Sequence, residues 1–291
     1  MLNIELLQPK SIEEAVSLLS QHRDDCKIIA GGTAMVIMLR NRLITPSVLL
    51  SLGRLTSLSY IRHEPGLGLR IGALTPIREA EVSSLLRSKN PILAQTFGEV
   101  ANVRVRNAAT VGGNLSEADY ASDPPCVLVA MQARVKASSV RGDREFPVAQ
   151  LIRDFYETSL EPDEILTELI VPDPTPSTRS AYLKYVSRSS EDRPCVGVAS
   201  VLEMGLDGVC ERLRVVVGAV AQTPQEIQSA EALGKGQRLT DKTIEQIADG
   251  YASEIDPISD MRGSDWYRKQ VIRVLVRRAI QQALSSKNNA T

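Results

Sequence analysis

Thr110-Val111-Gly112-Gly113-Asn114-Leu115 lies between Val103-Arg104-Val105-Arg106-Asn107-Ala108-Ala109 and Ser116-Glu117-Ala118-Asp119. Adjacent glycines let a ligand approach the main chain, because no Cβ stands in the way. In a glycine turn, successive N–H groups can face one concavity and hold an anion without a cationic side chain. Thr110 would add a hydroxyl, and Asn114 an amide that binds ligand or braces the turn. A second stretch has the same character: Lys27-Ile28-Ile29-Ala30-Gly31-Gly32-Thr33-Ala34, an apolar strand running into two glycines and a threonine. Two such turns suit a ligand with two linked phosphates. The bland alternative is a pair of ordinary tight turns, since the sequence contains neither G-x-x-x-x-G-K-[ST] nor a helix-opening G-x-G-x-x-G.

Working outward, Ser11-Ile12-Glu13-Glu14 has the form of a capping box opening a helix with an apolar stripe at Ile12, Ala15, Val16, Leu18 and Leu19. The strand Lys27 to Ala30 then enters the first glycine turn, and a helical segment from Thr33 to Arg40 would aim free N–H groups at an anion held there. Val48 to Ser51 is strand-like, and Ser57 to Ile61 with Leu67 to Ala73 reads as a hairpin around Glu64-Pro65-Gly66. Helical patterns follow at about Pro76 to Arg87 and Pro91 to Ala101. Asp123-Pro124-Pro125 opens another helix reaching about Met131, with Asp123 as its N-cap. Ala133 to Ser139 and Ile165 to Val171 add strands. This mixture lacks a regular βαβ cadence and predicts an α+β fold with two small α/β layers.

Three prolines within Pro172-Asp173-Pro174-Thr175-Pro176 mark a crossing. Beyond it, Ser180 to Val186, Val196 to Met204 and Val209 to Val217 form a three-stranded antiparallel sheet, with Asp207-Gly208 turning the last pair. Helices are expected at Pro224 to Leu233, Thr240 to Ser253 and Asp265 to Ser285. The expected division is therefore residues 1–176, residues 177–285 and a frayed tail at 286–291. Arg268, Arg273, Arg277 and Arg278 fall on the polar side of the last helix, as a solvated face or a subunit contact.

Composition excludes several functions. The net charge of −1, evenly scattered, and an aromatic content of 4% offer nucleic acid neither a basic footprint nor a stacking platform. The N-terminus lacks the pattern of a signal peptide, and no apolar run is long enough to span a membrane, so the expected setting is cytoplasmic. Cys26, Cys126, Cys195 and Cys210 are widely spread, without the spacing of a zinc or iron–sulfur site. With only His22 and His63, no Ser-His-Asp or Cys-His device stands out. Redox chemistry here would have to come from an organic cofactor.

Together, Ala30-Gly31-Gly32-Thr33 and Thr110-Val111-Gly112-Gly113-Asn114 resemble the paired flavin motifs of the FAD-binding medium subunits of molybdenum hydroxylases, the carbon monoxide dehydrogenase and xanthine dehydrogenase family. Ala118-Asp119-Tyr120-Ala121-Ser122-Asp123-Pro124-Pro125, Glu164 to Pro172 and Leu183 to Arg188 extend the resemblance to about residue 285. The resemblance implies a two-lobed FAD-binding domain, with FAD between the lobes, followed by a small α+β domain. It implies cofactor contacts from Lys27, Ile28, Ile29, Ala30, Gly31, Gly32, Thr33 and Ala34, and from Thr110, Val111, Gly112, Gly113 and Asn114, around the pyrophosphate. It places Asp123, Leu166 and Lys184 around the ribityl and ring portions; the bland roles are a helix cap for Asp123 and a solvated charge for Lys184. It further implies a large partner subunit with the molybdenum cofactor, a small partner with two [2Fe-2S] clusters, a dimer of heterotrimers, and an external electron acceptor. Family members often carry aspartate or serine where this chain has Ala34. A free-standing flavin oxidoreductase and a flavin-free scaffold of the same fold are the alternatives.

Overall fold

The computed structural model describes residues 4–286. The expected tail at Lys287 to Thr291 lies outside them. The first lobe is β1 (Glu5–Leu7), α1 (Ile12–His22), β2 (Cys26–Ile29), α2 (Met35–Arg40) and β3 (Val48–Ser51). Its three strands are parallel, in the order β1-β3-β2. Ser11 caps α1, its Oγ accepting from Glu14 N at 3.1 Å, while Glu14 reaches back to Lys10 N at 2.7 Å. Ala15, Val16 and Leu19 on one side of α1 pack with Leu50, Leu52 and Leu55, the spacing an amphipathic helix needs.

The second lobe begins with the hairpin β4 (Ile61–Glu64) and β5 (Gly68–Gly72). The first arm starts later than the sequence suggests, because Thr56–Leu58 forms a 3₁₀ turn instead. Five helices follow: α3 (Ile77–Val82), α4 (Ser84–Lys89), α5 (Pro91–Gly98), α6 (Val103–Ala108) and α7 (Val111–Ser116). The helix expected over Pro76 to Arg87 is two helices, because Ser83 leaves the helical region and caps α4 through Leu86 N at 3.2 Å. Then come α8 (Asp123–Ala130), β6 (Arg134–Ser139), β7 (Gly142–Pro147), β8 (Ile152–Asp154), β9 (Glu157–Thr158) and β10 (Ile165–Val171). Five of these strands form an antiparallel sheet, β4-β5-β10-β6-β7, and β8 pairs with β9. Every residue of α8 is buried; at about 2 kcal/mol for each Val or Leu side chain removed from water, this helix is a main prop of the core.

After the crossing at residues 172–177, β11 (Thr178–Tyr185), β12 (Val196–Met204) and β13 (Cys210–Gly218) form the three-stranded antiparallel sheet. The helices are α9 (Gln228–Ala232), α10 (Asp241–Glu254) and α11 (Asp265–Ser285). The helix expected from Pro224 starts only at Gln228, because Gln225 exchanges two backbone hydrogen bonds with Val217. α10 and α11 form a packed pair, α11 lies across β11 and β12, and β12 and β13 also pack on α8. That last contact is close because Gly218 lets α8 in: a Cβ there would lie 3.1 Å from Cys126 Cβ. Arg273 pairs with Asp249, and Arg277 and Arg278 are exposed, whereas Arg268 departs from the polar-face reading. It is fully buried and donates to Asp260 Oδ1 at 2.7 Å and to the Ile258 carbonyl.

Candidate functional site

The two glycine pairs come together. Gly31 abuts the end of α6: a Cβ on it would overlap the Ala108 carbonyl oxygen and lie 2.7 Å from that carbonyl carbon. A Cβ on Gly113 would lie 4.0 Å from Ala30 Cβ. The lobes therefore meet at Ala30-Gly31 and Ala108 to Gly113, where FAD was expected to lie.

Locally the two pairs differ. Gly31-Gly32-Thr33-Ala34 is a loop, with Gly32 at φ +72°, a left-handed conformation that favours glycine. Among the described residues, the N–H groups of Gly31, Gly32, Thr33 and Ala34 donate to nothing. Ala34 occupies the N-cap position of α2 without offering a side-chain acceptor. The strand before it leaves Ile28 and Ile29 half-buried, with Lys27 exposed. A half-buried run of unspent donors beside apolar side chains suits a charged, hydrogen-bond-accepting ligand.

Gly112-Gly113, in contrast, is not a turn; it opens helix α7. Thr110 is the N-cap, its Oγ1 accepting from Gly113 N at 3.1 Å. Val111 N donates to Thr75 O, Gly112 N to Ala73 O and Asn114 N to Thr110 O. The expectation of free donors here is therefore corrected: the helix and β5's exit segment consume them. Gly112 permits close packing, since a Cβ would fall 2.5 Å from Ala73 Cβ. Gly113 is exposed and leaves the surface next to Ala30 bare. Asn114 braces the segment as one of its expected roles required, donating through Nδ2 to Ser122 Oγ at 2.9 Å.

The position of α7 is set from the sheet. β10 carries a bulge between Leu166 and Glu168, and the carbonyl of the intervening Thr167 accepts from Ala73 N at 3.0 Å. Leu166 itself is buried in the second lobe's core. Glu168 fixes the bulge: it is buried and accepts from Tyr60 Oη and from Arg70 Nε and Nη2. Burial works to raise its pKa, but the bonds from Arg70 and Tyr60 outweigh burial and hold it below the ordinary value.

Asp123 and Lys184, far apart in sequence, form a buried pair. Lys184 Nζ donates to Asp123 Oδ2 at 3.1 Å and to the Glu99 carbonyl at 2.7 Å, and both side chains are about 5% exposed. Lys184 is thus no solvated surface charge. Nor does Asp123 cap α8: it is the first helical residue, and Ser122 holds the cap position without a side-chain bond to the helix. Tyr182, which the sequence reading passed over, donates to Asp123 Oδ1 at 2.7 Å. Burial pushes Asp123 up to about 6, against the opposing pull of Lys184 and Tyr182.

The segment joining α7 to α8 is also held by the C-terminal part of the chain. Tyr120 Oη donates to Asp260 Oδ2 at 2.7 Å and accepts from Arg262 at 2.8 Å, and Asp119 pairs with Arg193. Phe155 and Tyr156 stack edge-on against the Tyr120 ring. His63 instead sits far along the other hairpin, paired with Asp173 at 2.9 Å. The four cysteines are buried and free.

Two lobes thus meet at an open glycine loop and a bare helix face, and comparison with known proteins gives the class. Residues 2–174 match the model of the FAD binding domain in molybdopterin dehydrogenase, and residues 181–283 that of the CO dehydrogenase flavoprotein C-terminal domain. The chain belongs to the FAD-binding medium subunits of the molybdenum hydroxylase family. It is 34% identical to the 6-hydroxypseudooxynicotine dehydrogenase complex subunit alpha of Paenarthrobacter nicotinovorans, over 94% of this chain and 92% of the relative. It is 30% identical to the glyceraldehyde dehydrogenase medium chain of Sulfolobus acidocaldarius, over 95% and 96%. A chain of the solved carbon monoxide dehydrogenase from Hydrogenophaga pseudoflava superposes with a TM-score of 0.92 at 31% identity, covering 97% of both chains.

Proposed function

We propose that this chain is the FAD-carrying electron-transfer subunit of a heteromeric molybdenum-containing hydroxylase or dehydrogenase. Electrons would arrive from two [2Fe-2S] clusters on a small partner and leave through FAD to an external acceptor. Substrate oxidation would take place on a large molybdenum-cofactor partner, in a dimer of heterotrimers in the cytoplasm. The observation that carries the reading is the run of unspent N–H groups from Gly31 to Ala34, set against the bare surface of Gly113. Relatives named as a complex subunit and a medium chain, matched almost end to end, support the multi-subunit setting.

FAD supplies the redox chemistry, and the protein's part is to bind and orient it. In this reading Lys27 to Ala34 hold the pyrophosphate, with direct donors from Gly31 to Ala34. Thr110 to Asn114 form the wall opposite, shaping the cleft rather than donating from the main chain. Asp123, Leu166 and Lys184 serve the ribityl and ring portions. The proposed division places the cofactor on residues 1–176 and a supporting α+β domain on residues 177–285.

The test is to purify the chain alone and co-expressed with partner chains, record visible spectra and identify any released cofactor. Near-stoichiometric FAD is expected. A colourless protein in both preparations would hand the case to the scaffold reading, and substrate turnover by the isolated chain would favour a free-standing oxidoreductase.

A further inference from the structure

We infer that Tyr182 is a positioning residue of the cofactor site: its hydroxyl fixes the Asp123 carboxylate, which in turn fixes the place of the Lys184 ammonium and the net charge of the pair. The inference rests on the proposed placement of Asp123 and Lys184 beside the flavin. Nothing in the sequence patterns singles out Tyr182; its geometry does.

Tyr182 and Lys184 are two residues apart on β11, so their side chains leave the same face of the strand. That face meets the start of α8, where Asp123 receives one donor on each oxygen, Tyr182 Oη on Oδ1 and Lys184 Nζ on Oδ2. The Tyr182 hydroxyl has room because its neighbouring strand has no side chain there. Gly197 on β12 pairs with Lys184, and a Cβ on Gly197 would lie 2.7 Å from Tyr182 Oη. Glycine at 197 therefore preserves the hydroxyl's position. The Lys184 ammonium is held at a second point by the Glu99 carbonyl, so a displaced carboxylate would pull against a fixed anchor.

The titratable groups facing Asp123 are Lys184 and Tyr182 from β11, Glu99 at the end of α5, and Cys126 one turn along α8. With Asp123 ionised, the pair is neutral; with Asp123 protonated, the site carries one positive charge. A positive charge near a flavin favours the reduced, more electron-rich form, so the protonation of Asp123 would appear as a break in the pH dependence of the flavin potential. Tyr182 donates to the charged carboxylate and so favours ionisation. Removing its hydroxyl moves the Asp123 midpoint upward.

The experiment uses the full chain labelled with ¹³C-aspartate. The Asp123 carboxyl resonance, assigned by its disappearance in Asp123→Asn, is titrated in the wild type and in Tyr182→Phe. The midpoint is expected to rise by roughly one pH unit, the size of one charge-assisted hydrogen bond. Gly197→Ala, which pushes on the same hydroxyl without altering the tyrosine, is expected to move it in the same direction. In FAD-loaded protein, the break in the potential-against-pH curve should move with the carboxyl midpoint. An unmoved midpoint in both variants would overturn the inference, as would a midpoint that moves while the flavin break stays in place. A wild-type chain that binds no FAD would fail the functional reading instead, and the carboxyl titration would separate the two failures because it needs no flavin.

Discussion

Gly31-Gly32 and Gly112-Gly113 are the same two letters in two different physical situations. The first pair sits in a loop whose N–H groups are unspent, and its Gly31 is pressed against the Ala108 carbonyl. The second opens a capped helix whose donors are consumed by Thr75, Ala73 and Thr110, and its Gly112 is pressed against Ala73. One pair offers hydrogen bonds; the other offers closeness. A ligand site of this kind needs both, because open donors hold an anion only if the opposite wall comes near enough to exclude water.

The comparison is most exposed at Gly31→Ala. The new Cβ meets backbone rather than a movable side chain, so a loss of about 3 kcal/mol and failure to retain FAD are expected in urea unfolding and flavin analysis. Normal stability with full flavin content would show that the contact between the lobes yields easily. Gly112→Ala should cost less, about 2 kcal/mol, since its overlap is milder, 2.5 Å to Ala73 Cβ and 2.9 Å to the Ala73 carbonyl oxygen. Its FAD affinity, titrated well below the melting temperature, should fall about tenfold, as a displaced wall costs about 1.4 kcal/mol of binding. An unchanged affinity would mean that the closeness of α7 is dispensable to the site.

Smaller effects sharpen the contrast. Thr110→Val removes the cap acceptor of α7 and should lower stability by about 1 kcal/mol in calorimetry. Ala34→Ser adds a hydroxyl at the first pair. The N–H groups a hydroxyl there could cap, Val36 and Ile37, already donate to the Gly32 and Ala34 carbonyls, so the flavin-free chain should change by less than about 0.5 kcal/mol. The flavin-induced rise in melting temperature should stay as in wild type, because the Gly31 to Ala34 donors are untouched. An enlarged rise would indicate that a polar side chain at 34 assists the cofactor.

Strong periodicity made much of the fold legible. The stripe of α1, the three strands after the proline crossing, α10 and α11 all follow from apolar spacing and turn chemistry. What escaped was short or locally ambiguous. Val103 to Ala108 carries two valines and two arginines with no clear period, yet it is helical because Asn102 Oδ1 accepts from both Arg104 N and Val105 N. That asparagine was the available signal. Gly112-Gly113 reads as a turn because Thr110 reads as a ligand hydroxyl, and only the geometry shows that hydroxyl capping α7. Helical phase puts Arg268 on the polar side, as a solvated face or a subunit contact, whereas Asp260 draws it inside. Tyr182 was hidden because its partner lies 59 residues away.

The complete burial of α8 has a consequence for how the chain is made. Its lower face is covered by β12 and β13, which lie much later in the sequence. At ordinary rates of synthesis, the interval between finishing Ala130 and finishing Gly218 is roughly 4 to 18 s. Through that interval the helix is covered by the earlier α5 but bare where β12 and β13 will lie, and for its first part the carboxylate at its head lacks Lys184. The N-terminal half is thus born waiting for its complement.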